Sequence, residues 1–308
     1  MSLPAFFIAL LLSAAAIAQP FPAKPVRIVV PFPPGGGADA LARLMAPKLS
    51  ELWKQQVIVE NKPGASGHIG ADSVAQSPAD GYTLLMSSTA SLTGKNVGQF
   101  APVTLVSASP YVVTLNPNVP AADIRELIAV AKASPGKLTY GSSGTGAASH
   151  LSAELFKSMA GVDLLHVPYK GTGQALTDLL AGQVDLMFAP AQTVSSHVKA
   201  GKLRALATTG EKRAATLPEL PTVAESGLPG YAAVGWFGLL APAATAKALV
   251  AQLSRDANRV LSERDVRERM ETLGAEPAGN TPEEFARFIR EDQAKWQKLA
   301  REAGIKPE

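Results

Sequence analysis

Short β-branched runs alternate with amphipathic helical stretches along most of the chain, and they do so in two separate series. That alternation restricts the fold class to α/β. A strand apolar at nearly every position needs cover on both faces, and helices with one apolar stripe supply it. In the first series Val26–Val30, Gln56–Glu60 and Tyr82–Ser87 read as strands. Between them Ala38–Leu52 reads as a helix, with Leu41, Leu44, Met45, Leu49 and Leu52 at helical spacing. Gly64–Ala75 reads as a second helix, entered through glycines. The βαβαβ order predicts a parallel sheet.

The second series repeats the pattern. Asp123–Ala133 reads as a helix with Asp123 as its cap. Strands at Leu138–Gly141, Leu164–Pro168, Val184–Phe188 and Leu203–Thr208 alternate with helices at Ser149–Ala160, Gly173–Ala181 and Ser195–Ala200. Again a parallel arrangement is expected. Ala101–Asn116 joins the series as an extended segment crossing from one lobe to the other. After Thr216 the texture becomes rich in Pro and Gly and ends in the apolar run Trp236–Leu240; only helices follow, at Ala243–Leu261, Asp265–Leu273 and Pro282–Ala303. Helices without strands have nothing of their own to cover, so the chain is expected to cross back at Tyr231–Leu240 and pack them on the first sheet. The expectation is two α/β lobes, 19–110 with 231–308 and 111–230, joined by two crossing segments. Their loops at the carboxyl ends of the strands would line a cleft between them.

Composition narrows the function. A net charge of +3, dispersed, argues against a nucleic-acid partner. The absence of cysteine excludes disulfides, thiol nucleophiles and thiolate metal sites. His68, His150, His166 and His197 show no metal-ligand spacing, so no metal is expected. The first 18 residues carry no charged side chain and end in Ala16-Ile17-Ala18, the small-x-small form of a signal-peptidase site. Cleavage after Ala18, export and a mature chain beginning at Gln19 are expected, with a soluble product outside the cytoplasm.

Three loops carry candidate chemistry. In PFPPGGGADALAR, Gly35, Gly36 and Gly37 lie where a strand gives way to a helix, a place where open backbone N–H groups hold anions. Asp39 falls in the first helical turn, where its charge suits the helix dipole. No Walker A lysine follows. Gly35, Gly37 and Ala40 do match Gly-x-Gly-x-x-Ala, and Glu60 ends the next strand 25 residues after Gly35, near the ~20-residue spacing of a dinucleotide fold. A dinucleotide-dependent enzyme is therefore the competing reading; export argues against it. GSSGTGAASH occupies the same place in the second series, with Ser142, Ser143, Thr145, Gly146, Ser149 and His150. No orienting acid is apparent for a Ser–His triad there, so no catalytic residue and no cofactor are expected. PYKGTG supplies Tyr169, Lys170 and Gly171, and Ser87, Ser88 and Thr89 form a hydroxyl cluster after the third strand.

KPVRIVVPFPPGGGADALAR, VENKPGASGHIGA, DGYTLLM, FAPVTLV, YGSSGTG, HVPYKGTGQALTDLLAGQVDLMF, AGKLRALA, LPTVAESGLPGY and WFGLLAP, in this order, closely resemble the Bug-type receptors. These are the extracytoplasmic solute-binding components of tripartite tricarboxylate transporters. The resemblance implies a two-lobed periplasmic-binding-protein fold of Venus-flytrap, type II-like form, closing on a small carboxylate without an arginine clamp. It implies a monomeric periplasmic receptor that hands its solute to membrane permease subunits and is not an enzyme. Carried onto this chain, the first-lobe contacts are Phe32, Pro33, Pro34, Gly35, Gly36 and Asp39, with Ser87, Ser88 and Thr89. The second-lobe contacts are Ser142, Ser143, Thr145, Gly146 and His150, with Tyr169, Lys170 and Gly171 nearby. Two departures stand out. Only Ser91–Gln99 separates the third strand from FAPVTL, where many relatives are longer. Ala189-Pro190 also follows VDLMF where many relatives carry an acid, which argues against an amino-acid ligand. A sensing role feeding a signalling receptor would have the same sequence features.

Overall fold

The computed structural model describes residues 21–92, 96–214 and 217–302. The expected signal peptide, its cleavage after Ala18 and the start at Gln19 lie outside the described residues, as does the middle of Ser91–Gln99.

The chain runs β1 (Val26–Val30), α1 (Gly37–Trp53), β2 (Val57–Asn61), α2 (His68–Ala75), β3 (Thr83–Ser87), β4 (Phe100–Leu115), α3 (Ile124–Ala133), β5 (Thr139–Ser142), α4 (Ala148–Ala160), β6 (Leu165–Pro168), α5 (Thr172–Leu180), β7 (Leu186–Pro190), α6 (Ala191–Lys199) and β8 (Arg204–Thr208). It ends with β9 (Val234–Pro242), α7 (Lys247–Ser262), α8 (Arg264–Thr272) and α9 (Pro282–Glu302). The Asp123 carboxylate caps α3 by accepting from Glu126 N at 2.8 Å. Two boundaries differ from expectation. Gly64 to Gly67 all take positive φ, so the entry to α2 is a 3-10 turn and the helix begins only at His68. α6 begins at Ala191, directly after Pro190, whose extended backbone serves as its cap.

Two parallel sheets are not what forms. β1 pairs in parallel with β2 and β3, and β5 with β6 and β7, as expected. The crossing segments, however, are themselves strands, and they run antiparallel to their neighbours. They join everything into one mixed sheet of order β2-β1-β3-β9-β4-β7-β5-β6, with β8 on β4. The physical reason lies in β4. Its 16 residues are buried almost throughout, and its polar backbone must find partners wherever it travels. Its first part pairs with β9 and its last with β7 and β8. Register shifts between Pro102 and Thr104, Leu105 and Ser107, and Val113 and Thr114 bend it along the way.

The first half of the molecule buries β1, β2 and β3 under α1, α7 and α8, with Ile28, Leu41, Leu49, Leu253, Val260 and Met270 in one core. The second buries Val113, Tyr140, Phe156 and Phe188 under α3 and α4, with a further core of Leu176, Leu179, Met187 and Val194 under α5 and α6. α7 and α8 return to the first half, as expected. α9 does more than that. Its Phe285 and Ile289 pack with Val29, Leu85 and Trp236, while its Trp296 enters the core of the second half. Between them sits Asp292, whose carboxylate accepts from Trp236 Nε1 at 2.7 Å, Trp296 Nε1 at 2.8 Å and Thr89 Oγ1 at 3.1 Å. Burial raises its pKa despite these three donors. α9 is thus a third element bridging the halves.

Candidate functional site

The carboxyl ends of β1, β3, β5 and β7 face one another across a narrow pocket. It is lined by Phe32, Gly36, Gly37 and Ala38 from the first glycine loop, Ser88 after β3, Ser143 after β5, Thr172 at the start of α5, and Pro190 at the end of β7. Tyr111 and Phe237, from the two crossing strands, complete it. No lining residue carries a cationic side chain.

Three helices begin at this pocket. α1 starts at Gly37, with Gly36 as its N-cap and no side chain capping it. α5 starts at Thr172 with Gly171 as N-cap, and α6 follows Pro190; neither has a side-chain cap. The first-turn N–H groups of a helix have no carbonyl partner within it, and they stand at the positive end of its dipole. Three such ends, one from the first half and two from the second, leave donors pointing at a shared space.

The glycine loop owes its shape to Asp39. Its carboxylate accepts from Gly35 N at 3.1 Å, Arg43 Nε at 3.0 Å and Asn61 Nδ2 at 2.9 Å, and Asn61 Nδ2 also reaches Phe32 O at 3.1 Å. Burial opposes the charge of Asp39, but these hydrogen bonds outweigh it and its pKa is lowered. Asp39 therefore braces the loop from behind, and it also occupies the Gly35 N–H. Gly37 has no room for a side chain, because a Cβ there would lie 2.8 Å from Phe237 Cζ.

The second loop is held by its own side chains. Ser149 Oγ accepts from Ser143 N at 3.1 Å, and His150 Nδ1 accepts from Gly146 N at 3.0 Å. Ser142, fully buried, exchanges hydrogen bonds with Gly144 and lies 2.7 Å from His166 Nε2. Beneath the loop His150 stacks on His166 with centroids 4.0 Å apart, and His166 on Tyr140 at 4.8 Å. The Tyr140 hydroxyl donates to Glu154 at 2.6 Å, and Lys157 pairs with the same carboxylate at 2.9 Å. Burial holds both imidazoles neutral: the pKa of His150 is lowered and that of His166 falls to about 4. Ser142 lacks the exposure a nucleophile requires, and no carboxylate hydrogen-bonds either imidazole among the described residues.

The remaining candidates divide the same way. Ser88 lines the pocket, whereas Ser87 turns to Ser91 Oγ at 2.7 Å and Thr89 to Asp292. The Tyr169 hydroxyl donates to Asp178 at 2.7 Å, and Lys170 is exposed. Thr145 and Gly146 sit half-buried on the rim of the second loop. Pro33, Pro34 and Gly171 form the contact between halves: a Cβ at Gly171 would lie 2.7 Å from Pro33 Cδ, and one at Gly173 would lie 3.1 Å from Pro34 O. Ser66 closes the other rim against Gly144, where a Cβ would approach Ser66 Oγ to 2.6 Å.

Phe32, Gly36, Ser88 and Ser143 are thus brought together as lining residues, while most other candidates brace the loops that carry them. Tyr111, Thr172, Pro190 and Phe237 are lining residues that sequence reasoning missed. Thr172 lies within PYKGTG, where the sequence singles out Tyr169, Lys170 and Gly171 instead. Tyr111 and Phe237 carry no local signal, since strand residues read as core. The competing nucleotide reading loses its geometry. The second half closes over the glycine loop through Gly171, Thr172 and Gly173, and Glu60 pairs with Arg27 at 3.6 Å and Lys62 at 3.4 Å.

Residues 41–305 match the family model described as tripartite tricarboxylate transporter family receptor. Among solved structures, Rpa4515 of R. palustris with adipate is similar at 36% identity, with a TM-score of 0.89, covering 94% of this chain and 100% of its own. The periplasmic binding protein BugD is similar at 37% identity and a TM-score of 0.87, with 94% and 100% covered. MatC from Rhodopseudomonas palustris with bound malate is similar at 31% identity and a TM-score of 0.84, with 91% and 99% covered. All three relatives share the two-lobed architecture.

Proposed function

The chain belongs to the tripartite tricarboxylate transporter receptor family, and from that membership we propose that its pocket captures a small carboxylate in the periplasm for delivery to the membrane subunits of such a transporter. The observation that carries the reading is the convergence of three uncapped helix N-termini, from both halves, on a pocket lined by no cation. Backbone N–H groups and hydroxyls stabilise an anion without burying a fixed counter-charge, whose desolvation would oppose closure. They also let the anion leave, as delivery requires. Rpa4515 and MatC are described with adipate and malate, both small carboxylic acids.

On this reading the lobes are 19–110 with 231–308 and 111–230. They close as a hinge about β4 and β9, with α9 as a strap, and only ligand contacts specific to the closed form stabilise closure. The protein is a monomeric receptor without catalytic activity, matured by cleavage after Ala18. The contact set combines Gly36, Gly37, Ala38, Ser88, Ser143 and Thr172, with Phe32 and Phe237 as apolar walls. A thermal-shift panel of small mono-, di- and tricarboxylates tests it. At least one acid should raise the unfolding midpoint in a saturable way without being consumed. A flat panel, or conversion of an acid to product, would refute the reading.

A further inference from the structure

Both glycine loops are braced in the same way. Asp39 and His150 are each the third residue of the helix that follows the loop. Each accepts from the backbone N–H four residues before it, Gly35 N at 3.1 Å and Gly146 N at 3.0 Å. The two braces differ in chemistry. The Asp39 carboxylate, with its lowered pKa, keeps its lone pairs far into the acid range, whereas an imidazole loses its acceptor when it binds a proton. A backbone N–H can only donate, so His150 Nδ1 is unprotonated in this arrangement. A proton there would set two donors face to face.

The effect reaches the pocket through a short segment. Ser143, which lines the pocket, lies between Ser142 and Gly146. His166 Nε2 is 2.7 Å from Ser142 Oγ and His150 holds Gly146, so the two stacked rings pin both ends of the segment. With their centroids 4.0 Å apart, the rings repel each other if both are charged. The charged groups around the stack are already committed. Glu154 takes the Tyr140 hydroxyl and Lys157, and Lys157 also reaches Asp163 at 3.9 Å. Tyr231 gives its hydroxyl to Ser152 O. α9, packed on α4, contributes Asp292, held by its three donors, and Lys295, over the Trp296 ring. Burial opposes a charge on His150, Glu154 favours it and Lys157 opposes it; the balance lowers the pKa of the ring.

We infer that His150 is a proton-operated brace: charging its imidazole frees Gly146, loosens the Ser142–Gly146 segment and weakens the pocket's hold on its ligand. This rests on the carboxylate reading above and adds a pH gate to it. Only molecules with a neutral His150 are competent, so affinity should fall about tenfold per pH unit below the titration point of the ring. The sign is opposite to that of a direct contact, since an imidazolium touching a carboxylate would strengthen binding in acid. By reciprocity, the ligand should lower the pKa of His150.

NMR of the unliganded protein tests the brace by itself. The Gly146 amide shift should titrate together with the His150 ring, below the ordinary histidine value of 6.5. His150→Asn should abolish that titration, because Asn Oδ1 is as many bonds from the backbone as Nδ1 and accepts without titrating. Calorimetry with adipate from about pH 8 to about pH 4.5 then reads the gate, with malate in its place if only malate binds. Ligand ionisation is common to both proteins, so the ratio of wild-type to variant dissociation constants is what counts. It should rise about tenfold one unit below the His150 titration point. A Gly146 amide that does not follow His150, a constant ratio, or a His150 pKa raised by the ligand would each overturn the inference. If a thermal melt shows that His150→Asn does not fold, the direction of that ligand-induced pKa change in wild type decides. A flat carboxylate panel would refute the carboxylate reading, while the Gly146 titration would still test the brace.

Discussion

Gly171→Ala separates folding from closure. Gly171 has φ 161°, extended backbone that alanine adopts freely, so the substitution adds no local strain. Within its own half nothing obstructs a methyl group. The nearest atom, Pro33 Cδ at 2.7 Å, belongs to the glycine loop across the cleft, followed by Pro33 Cγ at 3.5 Å. A proline ring cannot swing aside as a long side chain can. Overpacking of this kind costs about 1–3 kcal/mol. Here the cost falls on the closed form alone, because opening separates the two residues. Binding is coupled to closure, so the dissociation constant should rise by about 5- to 150-fold. The melting temperature without ligand should stay the same or rise slightly, since alanine restricts the unfolded chain more than glycine. Isothermal titration with an acid selected by thermal shift measures the first quantity, and calorimetry the second. Gly98→Ala, where a Cβ would meet nothing within 4 Å, is the matched control. Unchanged affinity in Gly171→Ala would refute closure at the Pro33–Gly171 contact. An equal loss of unliganded stability would show that the contact belongs to the resting fold.

Three further outcomes follow from the bracing networks. Asp39→Asn should weaken ligand binding by about tenfold, through poorer hydrogen bonds to Gly35, Arg43 and Asn61. Because the folded pKa of Asp39 is lowered, its contribution is present above the unfolded value of 3.8 and fades as pH falls through the folded one, so the difference from wild type should vanish only in strong acid. The stacked histidines act in the opposite range: with the pKa of His166 depressed to about 4, the unfolded chain binds more protons below pH 6.5, so stability should fall as pH drops from 6.5 to 4, and His166→Gln should flatten that slope in urea titrations. Asp292→Ala leaves two indole N–H groups and Thr89 without their acceptor and should cost about 2–4 kcal/mol, visible as a lowered midpoint and altered tryptophan fluorescence.

Much of the fold was legible because it depends on local periodicity. The strand at Val26–Val30, the helix after the triple glycine and the Asp123 cap each follow from residues within a turn of one another. The return of α7 and α8 to the first sheet followed from a simple need for cover. What was not legible depends on distance. Nothing within Phe100–Leu115 says that it will pair with β9, β7 and β8 and make the sheet mixed. Trp296 reads as one apolar position on a long helix, and only its neighbours reveal that it serves the second core. The site shows the same division. Glycine loops advertise backbone donors, so Phe32, Gly36, Ser88 and Ser143 could be named. Asp39, Ser142 and His150 carry the same chemical signature as ligand contacts, yet their polar groups are spent on holding loops. Tyr111 and Phe237 become pocket residues only because two strands cross beneath the cleft.

The central claim is that backbone donors at three helix ends hold an anion without a cationic side chain. Calorimetric titration of the purified protein with a small acid and its primary amide, adipate and adipamide for example, tests this directly. The amide has nearly the same shape and no charge. The account predicts saturable one-to-one binding of at least one acid in a mono-, di- and tricarboxylate panel, and no heat from its amide. An amide that binds as tightly as its acid would contradict it.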